Sequence, residues 1–247
     1  MRILVTGGEG LIGRALVARG GARGVDVVAL GRTACDVTRA ADRERVLRLY
    51  RPDAVIFCAA HTRVDAAGPA TAGVNAEAPG EWARQVETWF LSSNFVFSTA
   101  GPHAADEVPT PTSLYAHQKV QSETAVLAAG GHVSRVGWVF GEGGRTFAST
   151  LRDRLRAGEH VSAVFDVLVQ PTRAADVADA LLALPRGITH HIGTASVSWY
   201  GFALATAAQL GSACTGAVRP VRLADLGIER PRDARLTPAL LPACTAG

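Results

Sequence analysis

The feature that most narrows what this chain can fold into is Thr6-Gly7-Gly8-Glu9-Gly10-Leu11-Ile12-Gly13, which follows a short apolar run at residues 2–6 and opens a helical pattern. It reads as G-x-G-x-x-G from Gly8 or as G-x-x-G-x-x-G from Gly7. In either reading the missing side chains let the backbone approach a pyrophosphate. The helix start then turns its free N–H groups and positive dipole end toward the phosphates. The motif points to a dinucleotide-binding α/β fold and makes Gly7, Gly10, Leu11, Ile12 and Gly13 candidate cofactor contacts.

The rest of the first half keeps the same rhythm. Strand patterns at 2–6, 25–30, 54–58, 90–97 and 132–136 alternate with helical patterns at 11–19, 38–50, 71–86 and 113–129. Thr38 is a candidate N-cap for the second helix, and Pro79 breaks or begins the third. The alternation predicts a parallel, doubly wound sheet, a Rossmann-type α/β fold. Beyond Gly137 the pattern loosens into helices at 147–157, 173–184 and 199–210, a strand at 188–192 and a tail rich in Pro and Arg. The expected division is an NADP-binding part at 1–136 plus about 165–196, and a small C-terminal substrate-binding lobe at about 137–164 plus 197–247.

Composition sets the exclusions. A chain of 247 residues, 48% apolar, buries a core without staples, and a net charge of +3 is too small for a disordered chain. No apolar run approaches the roughly 20 residues of a membrane helix. Met1 leads straight into the first strand, so no signal peptide is expected. Cys35, Cys58, Cys214 and Cys244 lack paired spacing, which argues against a metal site or a disulfide framework and for the reducing cytoplasm. The arginines are dispersed and not interleaved with aromatics, so no nucleic-acid partner is expected. Of the 25 basic residues only Lys119 is a lysine. Where arginine serves for almost every cation, a retained lysine marks a demand for a compact point charge.

That lysine closes the string Tyr115-Ala116-His117-Gln118-Lys119. Four residues apart on a helix, Tyr115 and Lys119 share one face. A phenol titrates near pH 10, about three units above neutrality, and an adjacent ammonium together with a cationic nicotinamide is expected to favour the phenolate and lower that value. The arrangement suits proton exchange with a carbonyl or alcohol while hydride moves to or from a nicotinamide. The second strand runs into Gly31-Arg32-Thr33 with no acid for a ribose 2′-hydroxyl. Arg32 is instead placed to meet a 2′-phosphate, which favours NADPH. Asp36 and Val37 follow and are candidates to close over the adenine.

The glycine motif and the Tyr115/Lys119 pair resemble an extended short-chain dehydrogenase/reductase. Further segments resemble the dTDP-4-dehydrorhamnose reductase family more narrowly. Residues 52–65, PDAVIFCAAHTRVD, are similar to its PDVVINAAAYTAVD, and Val74-Asn75 to its VN. Ser92-Ser93-Asn94-Phe95-Val96-Phe97 is similar to STDYVF, and residues 135–141 to RTSWVYG. Gln170-Pro171-Thr172 resembles SPT, Ser198-Trp199-Tyr200 the start of SWYEF, and Arg230-Pro231-Arg232 the start of RPRNS. The match is collinear over nearly the whole chain. It implies that Ser93 holds the substrate oxygen, Tyr115 donates the proton, and Lys119 holds the ribose and tunes Tyr115. It further implies that Ala59, Ala60 and Thr62 line the cofactor's ribose and pyrophosphate, and that Val64, Asn94 and Trp138 line the sugar. Arg230 and Arg232 then meet the substrate diphosphate. The departures gather around the sugar: Asn94 and Phe95 replace an acid and a phenol, Cys58 an asparagine, His61 a tyrosine, and Ala116 a glycine. His190-His191 reads as structural.

The resemblance implies an NADPH-dependent ketoreductase acting at C4 of a nucleotide-activated 4-keto-6-deoxysugar, with dTDP as the expected carrier and a homodimer as an open possibility for its assembly. An epimerase or dehydratase of the same superfamily is the first alternative, weakened because Asn94 and Phe95 cannot pass protons as an acid pair does. A non-catalytic NADP-binding subunit and a reductase of an unrelated carbonyl are the others.

Overall fold

The computed structural model describes residues 1–144 and 146–238. Cys244 and the last part of the expected lobe lie outside the described residues.

The first half runs β1 (Arg2–Thr6), α1 (Leu11–Ala22), β2 (Asp26–Leu30), α2 (Ala40–Tyr50) and β3 (Ala54–Phe57). A helical stretch follows, α3 (Pro69–Ala72) and α4 (Ala78–Ala83) on either side of a π turn (Gly73–Glu77). Then come β4 (Thr88–Ser93), α5 (Leu114–Ala128) and β5 (His132–Val136). The second half contains β6 (Trp138–Phe140), α6 (Phe147–Arg156), β7 (Val161–Val164), β8 (Leu168–Val169), β9 (Pro171–Arg173) and α7 (Ala174–Leu182). It continues with β10 (Ile188–His191), β11 (Val197–Ser198), α8 (Trp199–Leu210), α9 (Ser212–Thr215) and β12 (Val218–Val221).

Six strands form one parallel sheet in the order β10-β5-β4-β3-β1-β2. The expected Rossmann-type sheet is therefore present, with β2 at its edge because residues 31–39 pass from β2 to α2 as turns rather than as another strand. Both faces are covered, which explains the near-continuous apolar character of the strands. Ile3, Val5 and Trp89 pack with α1 and α7; Leu4, Phe57 and Phe90 pack with α2, α4 and α5. The winding reverses between β1 and β3, and a crevice opens there beyond the carboxyl ends of the strands.

A separate apolar cluster joins α6, α8, β7 and β12 through Leu151, Leu155, Val161, Ala203 and Val218. Another gathers Val164, Val167, Val169 and Leu223 against Trp138 and Trp199. By contrast, α7 and β10 return to the large sheet.

Three local expectations are corrected. Thr38 does not cap α2: its hydroxyl donates to Asp36 Oδ1 at 2.7 Å, and Arg39 occupies the N-cap without a side-chain bond. Pro79 does not break the helical stretch; it stands in the first turn of α4, which begins one residue earlier at Ala78. It removes the N–H that would meet the Asn75 carbonyl. The helix widens into the π turn, with Ala78 N–H donating to Gly73 O, and Ser122 Oγ donates to the Asn75 carbonyl at 2.7 Å instead. The fourth strand ends at Ser93 rather than at 97, because Ser93 Oγ accepts the Phe95 N–H at 3.2 Å and starts a 3-10 turn over Asn94–Val96.

Candidate active site

The crevice widens into a cleft of about 1140 Å³. One wall is the glycine turn. Gly7 sits at φ +67°, and a Cβ there would lie 2.8 Å from the Ala59 backbone, so only glycine lets the loops after β1 and β3 meet. A Cβ on Gly13 would lie 2.6 Å from Gly8 Cα, so α1 packs directly on the turn that precedes it. The first N–H groups of α1 thus stand at the cleft, and the cradle fits a dinucleotide pyrophosphate.

Of the expected cofactor residues, Gly7, Gly10, Leu11, Ile12, Gly13, Arg32, Asp36, Val37, Ala59, Ala60 and Thr62 all line this cleft. The Asp36 carboxylate is already engaged, accepting from the Thr38 hydroxyl and N–H, and these bonds hold it below the usual carboxylate range.

The opposite wall comes from α5 and β4. Ser113 begins α5 as its N-cap, accepting the Ala116 N–H at 3.2 Å, and so sets the helical phase that turns Tyr115 and Lys119 onto the sheet. Both are buried. Tyr115 interacts with Ser93 at the end of β4, while Lys119 Nζ donates to the Leu91 carbonyl at 3.0 Å and lies 5.9 Å from the centre of the Tyr115 ring. It also sits over the Phe90 ring at 4.5 Å. Burial pushes the Tyr115 phenol up to about 12, opposed by the Ser93 hydrogen bond. Desolvation of the phenolate is the dominant effect on this group, and the opposing effect comes from Ser93 rather than from Lys119. Burial brings Lys119 down to about 8, opposed chiefly by the charge of Glu123. Glu123 itself is paired with Arg135 at 2.7 Å, inside the protein.

The sugar-side expectations divide. Val64, Ser93, Asn94, Trp138 and Arg230 line the cleft, but Arg232 does not. It lines a smaller hollow of about 390 Å³ and is mostly exposed, 4.0 Å from Asp166. Arg230 forks onto both oxygens of Asp65, at 2.6 and 2.5 Å. Asn94 turns its amide toward the C-terminal segment and donates to the Ala234 carbonyl at 2.9 Å. Trp138 stacks on Trp199 with centroids 5.9 Å apart and packs against Phe147, so it serves both the apolar cluster and the cleft. His190 and His191 are buried in β10 and hydrogen-bonded within the protein. Among the described residues no group of three His, Cys, Asp or Glu gathers as a metal site, and no helix is long and apolar enough to cross a membrane.

Sequence reasoning missed the role of Asn75. Its buried amide accepts the His61 N–H at 2.8 Å and donates to the His61 carbonyl at 3.0 Å, clamping the loop that carries Ala59, Ala60 and Thr62. An asparagine four residues before a helical proline was the available signal. Phe147, Val167, Leu168, Val169 and Trp199, also unassigned from sequence, wall the far end of the cleft.

The family described as RmlD substrate binding domain matches residues 1–243. A Streptomyces antibioticus protein named as a probable dTDP-4,6-dihydroxy-2-methyloxan-3-one 4-ketoreductase is 37% identical, over 95% of this chain and 85% of its own. The dTDP-4-dehydrorhamnose reductase of Streptomyces griseus is 36% identical, over 93% and 82%. The chain belongs to the dTDP-4-dehydrorhamnose reductase family. It is an oxidoreductase, and its fold is that of the solved members. The Bacillus anthracis dTDP-4-dehydrorhamnose reductase in complex with NADP superposes with a TM-score of 0.90 over 97% of this chain and 91% of that one, at 24% identity.

Proposed function

We propose that the chain is an NADPH-dependent ketoreductase of a dTDP-linked 4-keto-6-deoxysugar, working in the cytoplasm. The observation that carries this reading is the convergence of Ser93, Tyr115 and Lys119 on the cleft whose other wall is the glycine turn. Bound in that cradle, NADPH supplies a hydride to the substrate's C4. Gly7 through Gly13 hold its pyrophosphate, the Ala59–Thr62 loop shaped by Asn75 holds its ribose, and Arg32 holds its 2′-phosphate.

Ser93 and Tyr115 hydrogen-bond the carbonyl oxygen. With its proton held tightly by burial, Tyr115 is in the acid form that reduction needs at neutral pH, and it passes that proton to the oxygen as the alcohol forms. Lys119 stabilises the phenolate left behind. The two C-terminal apolar clusters serve as the substrate lobe, with Trp138 facing the sugar and Arg230 drawn from Asp65 to the diphosphate. The names of the relatives support this reading.

The S. antibioticus relative is named for a ring with hydroxyls at positions 4 and 6 and none on the carbon between. A less hydroxylated sugar suits the Asn94 amide here, one N–H of which is committed to the Ala234 carbonyl.

The test is incubation with dTDP-4-keto-6-deoxyglucose and its 2-deoxy counterpart, following nicotinamide absorbance and identifying the sugar product. A C4 alcohol is expected from both, faster from the 2-deoxy sugar. Reduction of a nucleotide-free ketosugar with equal kcat/KM would replace this reading with that of a general carbonyl reductase, since diphosphate binding energy is what positions the reacting carbon.

A further inference from the structure

Gly31 is the first residue after β2, the place from which dinucleotide folds present an acid to the ribose hydroxyls. It has no side chain, but the space one would occupy is filled. A Cβ built on Gly31 would lie 2.8 Å from Glu9 Oε2, with the other oxygen and the carboxyl carbon of Glu9 closer still. Backbone geometry puts Glu9 there. The Gly8 N–H donates to the Leu30 carbonyl at 2.9 Å and ties the glycine turn to the end of β2. Glu9, Gly31 and Arg32 all line the cofactor end of the cleft. Among the described residues neither Glu9 nor Arg32 has a side-chain hydrogen bond or salt bridge; Glu9 is open to a ligand, while the Arg32 charge also helps hold the nearby Asp36 carboxylate low.

We propose that Glu9 supplies, from the glycine turn, the ribose-reading carboxylate that the end of β2 lacks, so that the adenosine end of the cleft presents an acid suited to NADH beside an arginine suited to NADPH. The proposal rests on the dinucleotide-binding reading above. A carboxylate is an acceptor for the vicinal ribose hydroxyls of NADH. Toward a 2′-phosphate it is a like charge, which the Arg32 guanidinium offsets. The chain therefore discriminates between the two dinucleotides less than Arg32 alone would dictate.

The test is binding to the intact protein without substrate, by calorimetry with NADH and with NADPH. Glu9→Gln keeps the length and removes the charge. A hydrogen bond to a charged group is strong enough that NADH should bind about tenfold more weakly in this variant, while NADPH binds as well or more tightly. Gly31→Asp on a Glu9→Ala background returns the acid to β2, in space that the Glu9 carboxylate had filled, and should restore most of the NADH affinity lost in Glu9→Ala. Unchanged NADH binding in Glu9→Gln, or no recovery in the double variant, overturns the role of Glu9 and leaves the ketoreductase reading intact. Failure of the wild-type protein to bind either dinucleotide overturns both.

Discussion

Lys119 donates its ammonium to the carbonyl oxygen of Leu91, 3.0 Å away across the packing of α5 on β4. The bond holds the lysine beneath the Tyr115 ring, in a site dry enough to bring it down to about 8. If the reaction needs the ammonium, kcat/KM should be level below pH 8 and fall above it, well short of where lysine ordinarily titrates. The sign follows from the charge: raising the pH through the lowered value removes the cation that stabilises the phenolate. Lys119→Arg keeps a charge but needs room for a planar fork, and it should recover little of the activity lost in Lys119→Met. A pH–rate profile of wild type, with single-pH rates for the variants, decides the matter. Full activity in Lys119→Arg would show that any cation suffices.

Tyr115→Phe keeps the ring and removes the transferable proton. General acid catalysis contributes about 10²–10⁴-fold, so kcat should fall within that range. NADPH affinity should persist. Calorimetry on the variant alongside the rate separates lost chemistry from lost binding.

Arg32→Ala should weaken NADPH and leave NADH nearly untouched. A charge-assisted hydrogen bond is worth about 1.5–3 kcal/mol, or roughly ten- to hundredfold in affinity. Equal losses for both dinucleotides would place Arg32 away from the 2′-phosphate.

Asn94→Asp restores the residue type of the resembled motif and removes the amide donor to the Ala234 carbonyl. A buried carboxylate would then face a carbonyl oxygen, which destabilises by about 1–3 kcal/mol. Denaturant unfolding at neutral pH should show a lower midpoint, and Asn94→Ser a smaller loss.

Acid should weaken the fold through His190 and His191, both brought down to about 4 by burial. With folded values below the unfolded 6.5, the unfolded chain binds protons first as the pH falls. Stability is then lost between pH 6.5 and 4, by on the order of 3 kcal/mol for each histidine. Replacing both with Asn should flatten that part of the curve of stability against pH.

Elements with strong local pattern were legible in the sequence: β1, β5 and α8 occupy the residues expected, and Ser113 begins the helix of Tyr115 and Lys119. The misses share a cause. Thr38 is drawn to Asp36 rather than to a helix N–H, Pro79 is accommodated because Ser122 from another helix replaces its missing donor, and β4 stops early because Ser93 captures the Phe95 N–H. In each case a polar group chose among partners that spacing alone does not rank.

What the sequence by itself determined is what depends on short separations along the chain: the glycine turn entering α1, the face shared by Tyr115 and Lys119, and the alternation that builds a parallel sheet. Tertiary structure alone decided which charges are free and which are occupied. Arg230 is held by Asp65, 165 residues away, and Asn94 by Ala234, 140 residues away, while Glu9 comes to lie over Gly31. The reason is physical: a side chain's hydrogen-bond and ion-pair partners are set by what the packed sheet brings within about 3 Å, and local propensity carries no record of it.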